Sequence, residues 1–492
     1  MLAPAAMLSV AACAELEVTN PNNPDIARAL ASPADVAKIG KSSVNSWFLA
    51  STHQEPYMML QVSADAGTAN FGNFGMRFNN LEPRVAYNNN SAGTDAAATV
   101  RPWDDNYGSL GAANDALKAI VAGIVIPGTD GTAKTQAAAL FAQAGSLTNL
   151  ALIFDKAFVV TERTDLTKAP VLIPYAQVRD SALKSWDAVI ALTAARTWSW
   201  DADVLPLTVP QTAANINRIA NTMAARTLML SARTGAENTA TNWQRVLAYA
   251  DKGITGTGLA DMDFSVVNDG DNVWYSQILN YGNLDSWTRV DQRLVNRMAP
   301  NVPAKYAGVN VAPVSDDRRM GAVTTPCTGA GQPAACLTGI TTDYVFLNTV
   351  IGDPARGIFM QSPYYHRRWR DVSFAVAGST KAGKAMPYVL AAENDLMIAE
   401  ALVRTNGDLN RAATLVNKTR VTRGGLAPVA ATSAALLAAI SYERDVELLN
   451  TNGLSLFDGR RLEQLQTGTF RQLPIPAKEL ETLRLPVYTF GG

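Results

Sequence analysis

The sequence predicts a mostly α fold: a tetratricopeptide-like scaffold of helical hairpins carrying a large loop-rich insertion. Three observations carry that expectation. From Trp103 to Ile254, and again after Met386, apolar residues return at three- and four-residue steps, the period of a helix with one buried face. Between those stretches the period is lost, and Gly, Asn, Asp and Pro punctuate short runs, as in Asp269-Gly270-Asp271-Asn272, Ala299-Pro300-Asn301-Val302-Pro303 and Gly352-Asp353-Pro354. Near the C-terminus, two amphipathic stretches are joined by so short a turn that they must run antiparallel, the unit of a helical-hairpin solenoid.

In chain order, Leu8-Ser9-Val10-Ala11-Ala12-Cys13 brings small residues up to a cysteine after an apolar stretch, as at the lipobox of bacterial lipoproteins, so Cys13 is a candidate for lipidation. None of the residues before it is Lys or Arg, so residues 1–13 read as a truncated signal; the alternative is that Cys13 is one more small residue and export is wrong. Residues 14–24 hold Asn20-Pro21-Asn22-Asn23-Pro24, a proline-broken tether. A single domain, 25–492, follows, its N-terminal helical part running over 25–254. There Trp103 to Ala122 is a helix with Tyr107, Leu110, Asn114, Leu117 and Val121 on one face. Gln136 to Val160 is evenly apolar, which puts it between neighbours. Pro174 opens a helix that aligns Val178, Ala182, Trp186 and Val189. Ile216 to Arg233 turns Ile216, Ile219, Met223 and Leu230 inward, ends at Gly235, and is answered by Trp243, Val246, Leu247 and Ala250. Trp198 and Trp200, alternating with polar residues, are expected to cover a helix end.

Residues 255–386 form the loop-rich part, with short strands expected at Tyr344-Val345-Phe346-Leu347 and Val372-Ser373-Phe374-Ala375-Val376. Cys327 and Cys336 flank a flexible loop and can bridge in an oxidising compartment. The C-terminal helical part, 387–492, begins with a helix over Asp395 to Val403 whose stripe is Leu396, Ala399, Leu402 and Val403. Gly407 is expected at its C-cap, and Asp408 caps the next helix, Leu409 to Arg423, which buries Leu409, Ala412, Ala413 and Val416. Glu443, Arg444, Asp445, Glu447, Asp458, Arg460 and Arg461 read as a salt-linked layer closing the scaffold.

Composition limits the function classes. With 48% hydrophobic and 17% charged residues, a packed core is expected over global disorder. Its 42 basic and 43 acidic residues leave no electrostatic footprint for nucleic acid or an anionic membrane, so partners are to be found by shape, stacking and hydrogen bonding. The two histidines, His53 and His366, have no metal-ligand partner at helical spacing, and no Gly-x-Ser-x-Gly elbow appears. Gly378-Ser379-Thr380-Lys381-Ala382-Gly383-Lys384 imitates a phosphate loop, but Ala385 lacks the hydroxyl and Pro387 obstructs the helix that should follow. No metal site, cofactor or catalytic group is expected.

Several segments together resemble a known family. Ile398-Ala399-Glu400-Ala401, Leu415-Val416-Asn417-Lys418-Thr419-Arg420, Tyr442-Glu443-Arg444-Asp445-Val446-Glu447-Leu448, Phe457-Asp458-Gly459-Arg460-Arg461 and Leu473-Pro474-Ile475-Pro476 come in an order that resembles the C-terminal half of the SusD/RagB family of surface nutrient-binding lipoproteins. Ala224 to Gly235 with Trp243 to Ile254 is similar to the family's central helix pair, and Trp103 to Asn114 to its early helix. The likeness departs at Leu147 to Val160 and from Asp261 to Thr349. It implies a SusD-like fold and a non-enzymatic receptor for an oligosaccharide or another nutrient, lipid-anchored on the extracellular face of the outer membrane. Such a receptor acts as a lid on a SusC-like, TonB-dependent barrel.

Candidate ligand residues are aromatics set among amides and carboxylates in the loops. Trp274, Tyr275, Tyr281 and Trp287 are interleaved with Asn272, Gln277, Asn280, Asn283 and Asp285; Phe74, Arg77 and Asn80 lie in a second loop, Asn70 to Asn80. Sugar C–H faces stack on indole and phenol while hydroxyls need amide and carboxylate partners, a combination that suits a neutral glycan. The resemblance puts Trp287, in Leu284-Asp285-Ser286-Trp287-Thr288-Arg289-Val290, at the family's ligand-gripping position. The competing reading is that these rings pack the loop layer onto the scaffold. Two other functions fit the same scaffold: a self-assembling or adhesive structural surface protein, and a surface hydrolase with an acid pair.

Overall fold

Helices are the main element of the computed structural model, which describes residues 26–270, 273–320, 343–369 and 383–492. Cys13, Cys327, Cys336, the strand expected at Val372 to Val376 and Gly378 to Ala382 lie outside those residues. A single turn, α1 (Ile26–Leu30), leads to α2 (Pro33–Thr52), where Ser32 accepts the Asp35 N–H and Pro33 takes the first helical position, the place where its missing N–H costs nothing. Then come α3 (Gln54–Ser63), the one-turn α4 (Met76–Asn79), α5 (Ala97–Val121) and α6 (Gly131–Ile153). In α5 the expected face is buried at Leu110, Asn114 and Leu117, half-buried at Tyr107, and 64% exposed at Val121, where the helix ends.

Helix α6 is the central one, packed against α2, α5 and α7 (Tyr175–Thr193), and this is why its sequence is apolar on all sides. Phe141 of α6 meets Trp47 of α2 at 5.1 Å and Trp186 of α7 at 5.0 Å, both edge to face. Such pairs add about 0.5–1.5 kcal/mol each beyond their buried area. Gly145 allows the approach: a Cβ there would lie 2.1 Å from the Trp47 indole nitrogen. Trp200 donates its indole N–H to the Lys134 carbonyl, 3.0 Å away in the first turn of α6, so Trp198 and Trp200 do cover a helix end. The helix expected to run on to Val160 stops at Ile153. Asp155 and Leu473 divert the backbone into cross-chain bonds, and Lys156–Phe158 becomes β2, paired antiparallel with β3 (Leu172–Pro174).

The next hairpin joins α8 (Ala213–Leu230) to α10 (Trp243–Ala250) through α9 (Gly235–Ala240). Gly235 thus opens a helix instead of ending one, with Thr234 capping it. The earlier stop, at Leu230, frees Arg233 to donate to the carbonyls of Ala151 at 2.8 Å and Phe154 at 2.6 Å, at the end of α6. The loop-rich part holds β4 (Phe264–Val267), α11 (Gln277–Gly282), β5 (Arg289–Val290), α12 (Gln292–Met298), β6 (Tyr344–Phe346) and β7 (Tyr364–His366). β6 and β7 pair antiparallel; β8 (Ala385–Val389) returns beside β4.

The C-terminal hairpin is α13 (Ala391–Arg404), which buries its expected stripe, and α14 (Leu409–Arg420), which buries Ala412, Ala413 and Val416, leaves Leu409 half-buried and stops short of the expected Arg423. The left-handed residue at the turn is Asn406, with φ 54°, and not Gly407. Gly407 is one place further on, donating its N–H to Leu402 at 2.7 Å while Asn406 donates to Val403 at 3.3 Å, the double bond of a Schellman cap. Asp408 accepts the N–H groups of Asn410 and Arg411 as expected. Two further helices, α15 (Ser433–Glu447) and α16 (Leu454–Arg461), complete the scaffold.

Between these helices lies the charged layer. Asp458 accepts from Arg444 at 2.8 Å and from Arg461 at 2.9 Å, and Arg461 forks onto both oxygens of Glu400 at 2.8 and 2.9 Å. Burial works against the charge on Asp458 and Glu400, but the arginines more than offset it, holding both carboxyls below their usual range. Arg319, from the loop-rich part, is fully buried against Asp317, Glu443 and Glu447 at 2.7, 2.7 and 3.1 Å. Arg460 departs from the expected salt link. Among the described residues it pairs with no carboxylate, and it donates instead to the carbonyls of Leu152, Arg471 and Leu230 at 2.8, 2.8 and 2.9 Å. Two of these lie at the C-terminal ends of α6 and α8, where the helix dipole favours a cation.

β1 (Gly67–Thr68) pairs antiparallel with β5. Beyond one end of that ladder, Asp291 caps α12 by accepting the Arg293 N–H at 2.8 Å and lies fully buried near Asp65. Burial, then the Asp65 charge, push its carboxyl up to about 8, against the pull of Arg293. An unfolded aspartate releases its proton near about pH 3.9. The folded chain therefore holds a proton that the unfolded chain has lost, and this group makes stability fall as pH rises between about 4 and about 8. Asp291→Asn keeps the cap acceptor and removes the titration. Its urea midpoint is expected to gain on the parent's as pH rises from 5 to 8.5 (about the two ends of that window), and an unchanged difference would show that Asp291 ionises without cost.

Candidate ligand-binding face

The loop before α4 cannot be regular: Phe74 and Gly75 both take left-handed backbone, φ 56° and 71°. Gly75 lies so close to α3 that a Cβ would sit 3.1 Å from the Met59 sulfur. Asn79 donates to the Gly75 carbonyl at 2.6 Å, and Asn80 to Thr68 Oγ1 at 2.9 Å, pinning the loop to β1. The tight turn leaves the Phe74 ring against the apolar floor of Met58, Val62 and Met76.

A second segment closes onto it. Ser276 caps α11, and beyond that helix the Trp287 N–H bonds Leu284 at 3.0 Å while Thr288 Oγ1 donates to the Tyr281 carbonyl at 2.8 Å. Arg289 reaches back to the Asp285 carbonyl at 2.7 Å and across to that of Thr349 at 3.2 Å. Burial pushes its guanidinium down to about 10, with the Asp285 charge pulling the other way. Asn283 is spent inside: its Nδ2 donates to Leu279 at 2.8 Å, its Oδ1 lies 3.0 Å from His366 Nδ1 and accepts the Trp369 N–H at 3.2 Å, and its carbonyl accepts from Tyr365 Oη. Burial, with Arg368 and Arg423 nearby, holds His366 neutral, well below the usual imidazole range.

Three of the expected residues meet. Phe74 stacks on Trp287 with centroids 5.4 Å apart and planes 23° from parallel; Tyr281 lies 4.8 Å from Phe74 and 5.2 Å from Trp287. All three are partly exposed. Tyr275 adjoins them: burial, then the neighbouring Tyr281, push its phenol up to about 12, and it accepts from Asn280 at 3.0 Å. Arg77 lies on α4 with its guanidinium 5.4 Å from the centroid of the exposed Phe78 ring. The other three residues are committed elsewhere. Trp274 is 6% exposed and packs on Phe48, 5.4 Å away; Asn80 and Asn283 are buried in the bonds just described. A third segment, from Asn348 to Gly357, borders the rings through the Asn70 amide, which donates to the Asp353 carbonyl at 2.9 Å. In the sequence only Gly352-Asp353-Pro354 marked it, and then as a turn.

Around the rings, polar groups have no partner among the described residues: Tyr281 Oη, the Trp287 indole N–H, the Ser286 hydroxyl, the Asn73 amide and the Arg77 guanidinium. A cleft of about 480 Å³ beside α12 is the opposite case. Its Asp65 bonds Arg84 at 2.6 Å and Gln466 at 2.8 Å, and its Arg297 pairs with Asp445. That cleft is a closed internal network; the aromatic face is open. His53 accepts the Glu55 N–H at the start of α3, and among the described residues no group of three acidic, His or Cys side chains could hold a metal ion. Nor is any described helix long and apolar enough to cross a membrane.

Solved structures align over almost the whole chain. A SusD superfamily protein from Parabacteroides distasonis superposes with a TM-score of 0.62 over 90% of this chain and 97% of its own, at 14% identity. The chain has the SusD fold. A SusD superfamily protein from Bacteroides vulgatus gives 0.60 over 92% and 97%, at 15% identity, and a laminarin-binding SusD-like protein gives 0.56 over 93% and 98%, at 16%. No family model and no curated protein matches the sequence. In SusD-like terms, the scaffold is the set of helical hairpins from α2 to α10 and from α13 to α16, and the aromatic face is built on the loops they carry.

Proposed function

We propose that this chain is a non-enzymatic nutrient receptor that takes the sugar rings of an oligosaccharide on Phe74, Tyr281 and Trp287. One observation carries the reading: three rings from two segments meet within 5.4 Å on an apolar floor, beside hydrogen-bonding groups that have no partner among the described residues. A preformed face of this kind binds without first ordering its side chains, so stacking and hydroxyl bonds appear directly as affinity. The laminarin-binding neighbour of the same fold supports a glycan. In the fuller form of the proposal, the chain is anchored through a lipid on Cys13 at the outer membrane and closes over a TonB-dependent barrel.

Two measurements test it. Trp287→Ala should weaken retention on an oligosaccharide array by about tenfold or more, since one stacked ring contributes on the order of 1–2 kcal/mol; unchanged retention would remove the ring face from the reading. A pull-down from native membranes, with the captured proteins identified by mass, tests the lid. Capture of a large β-barrel transporter supports it. Capture only of further copies of this chain would favour the self-assembling surface protein instead.

A further inference from the structure

We infer that the glycan taken by this face is anionic, and that Arg77 reads its carboxylate or sulfate group. The inference rests on the proposed ring face and concerns the charge of what lies there. A neutral ligand would suit rings and amides alone, but among the described residues the charges of these three segments leave one cation over. Asp285 faces the buried Arg289, and Asp353 is paired with Arg356 at 3.9 Å on the adjoining segment. Arg77 has neither ion pair nor hydrogen bond among the described residues.

The position of that cation is also built. Arg77 follows Phe74 by three residues, on the one-turn α4 that begins directly after the left-handed Phe74-Gly75 pair. Its own N–H is tied to the Phe71 carbonyl at 3.0 Å, which fixes its backbone to the loop bearing the ring. The guanidinium lies over the ring of Phe78, 43% exposed, a contact that holds the cation without neutralising it. Among the described residues its five N–H donors meet no acceptor, and the planar fork matches the two oxygens of a carboxylate or sulfate ester. Arg77, three residues along the same turn, is the cation we assign to an acidic substituent of a sugar stacked on Phe74.

The test uses matched oligosaccharides: uronate-containing and sulfated chains, each beside its carboxyl-reduced or desulfated neutral form, offered to the whole protein. The parent should retain at least one anionic class about tenfold or more over its neutral form, the size of one charge-assisted hydrogen bond, and added salt should narrow the ratio. Arg77→Gln should bring the ratio near unity, Arg77→Lys should restore part of it, and Trp287→Ala should depress retention of both forms. Which class is retained tells carboxylate from sulfate. Equal retention of charged and neutral forms, or a ratio untouched by Arg77→Gln, overturns the inference and leaves the ring face standing. Retention of no glycan by the parent overturns both.

Discussion

Arg319→Leu is expected to lower the free energy of unfolding by about 3–5 kcal/mol, the cost of removing one member of a buried ion cluster. The side chain is fully buried and donates to three carboxylates, Asp317, Glu443 and Glu447. Glu447 keeps Arg368 and Arg423, at 2.8 Å each, so it tolerates the loss. Glu443 does not: its remaining partner is the Thr419 hydroxyl, at 2.8 Å, and a carboxylate without a counter-charge in that position must take up a proton or draw in water. Urea denaturation followed by circular dichroism measures the effect. Adding Glu443→Gln to the variant should recover part of the loss, because the orphaned charge goes with it. A loss under about 1 kcal/mol would mean that the cluster is already hydrated and contributes as a surface pair does.

The second large effect belongs to Arg460, by a different route. Arg460→Leu deletes no salt bridge; it leaves the carbonyls of Leu152, Leu230 and Arg471 without the donor they share. Each buried acceptor so stranded costs on the order of 1–3 kcal/mol, and the sum is expected to approach about 4 kcal/mol after relaxation. Burial, with Arg233 nearby, already lowers the guanidinium pKa well below the usual arginine value, so the site tolerates its charge for the sake of the hydrogen bonds. Lysine cannot span three carbonyls that face one guanidinium, and Arg460→Lys should recover little. Thermal melts report the loss, and glycan retention below the transition should stay at the parental value. A change in ligand preference would mean that the ends of α6 and α8 are coupled to the loops.

The helices α5, α7, α8, α10, α13 and α14 were legible from their apolar stripes, two of them with a local start signal at Pro174 and Asp408, while α6 was legible from its even apolarity. Their stops were less so. α6 ends where Leu473, more than three hundred residues away, takes the backbone bonds, and α8 ends early so that Arg233 can reach α6. No local pattern reports a partner at that distance. Arg460 illustrates the same limit: among acids in sequence it reads as an ion-pair member, yet the groups nearest it in space are carbonyls. In the aromatic loops, residue type singled out Phe74, Tyr281 and Trp287, and the fold brings those three rings together. Residue type could not separate them from Trp274, whose ring is spent on Phe48, because exposure depends on what packs behind each loop.

Asn283 and Arg289 tie the second loop down from its inner side, while Asp285, Ser286 and Trp287 between them make no side-chain hydrogen bond or ion pair among the described residues. Support and recognition are thus allotted to different side chains of one short segment. On the receptor reading proposed above, substitutions among the outer residues would change what is bound at little cost to folding, whereas substitutions among the tied residues would cost stability first. The scaffold would then be the slow-changing part of the protein, and the outer loop the part in which related chains living on different diets diverge.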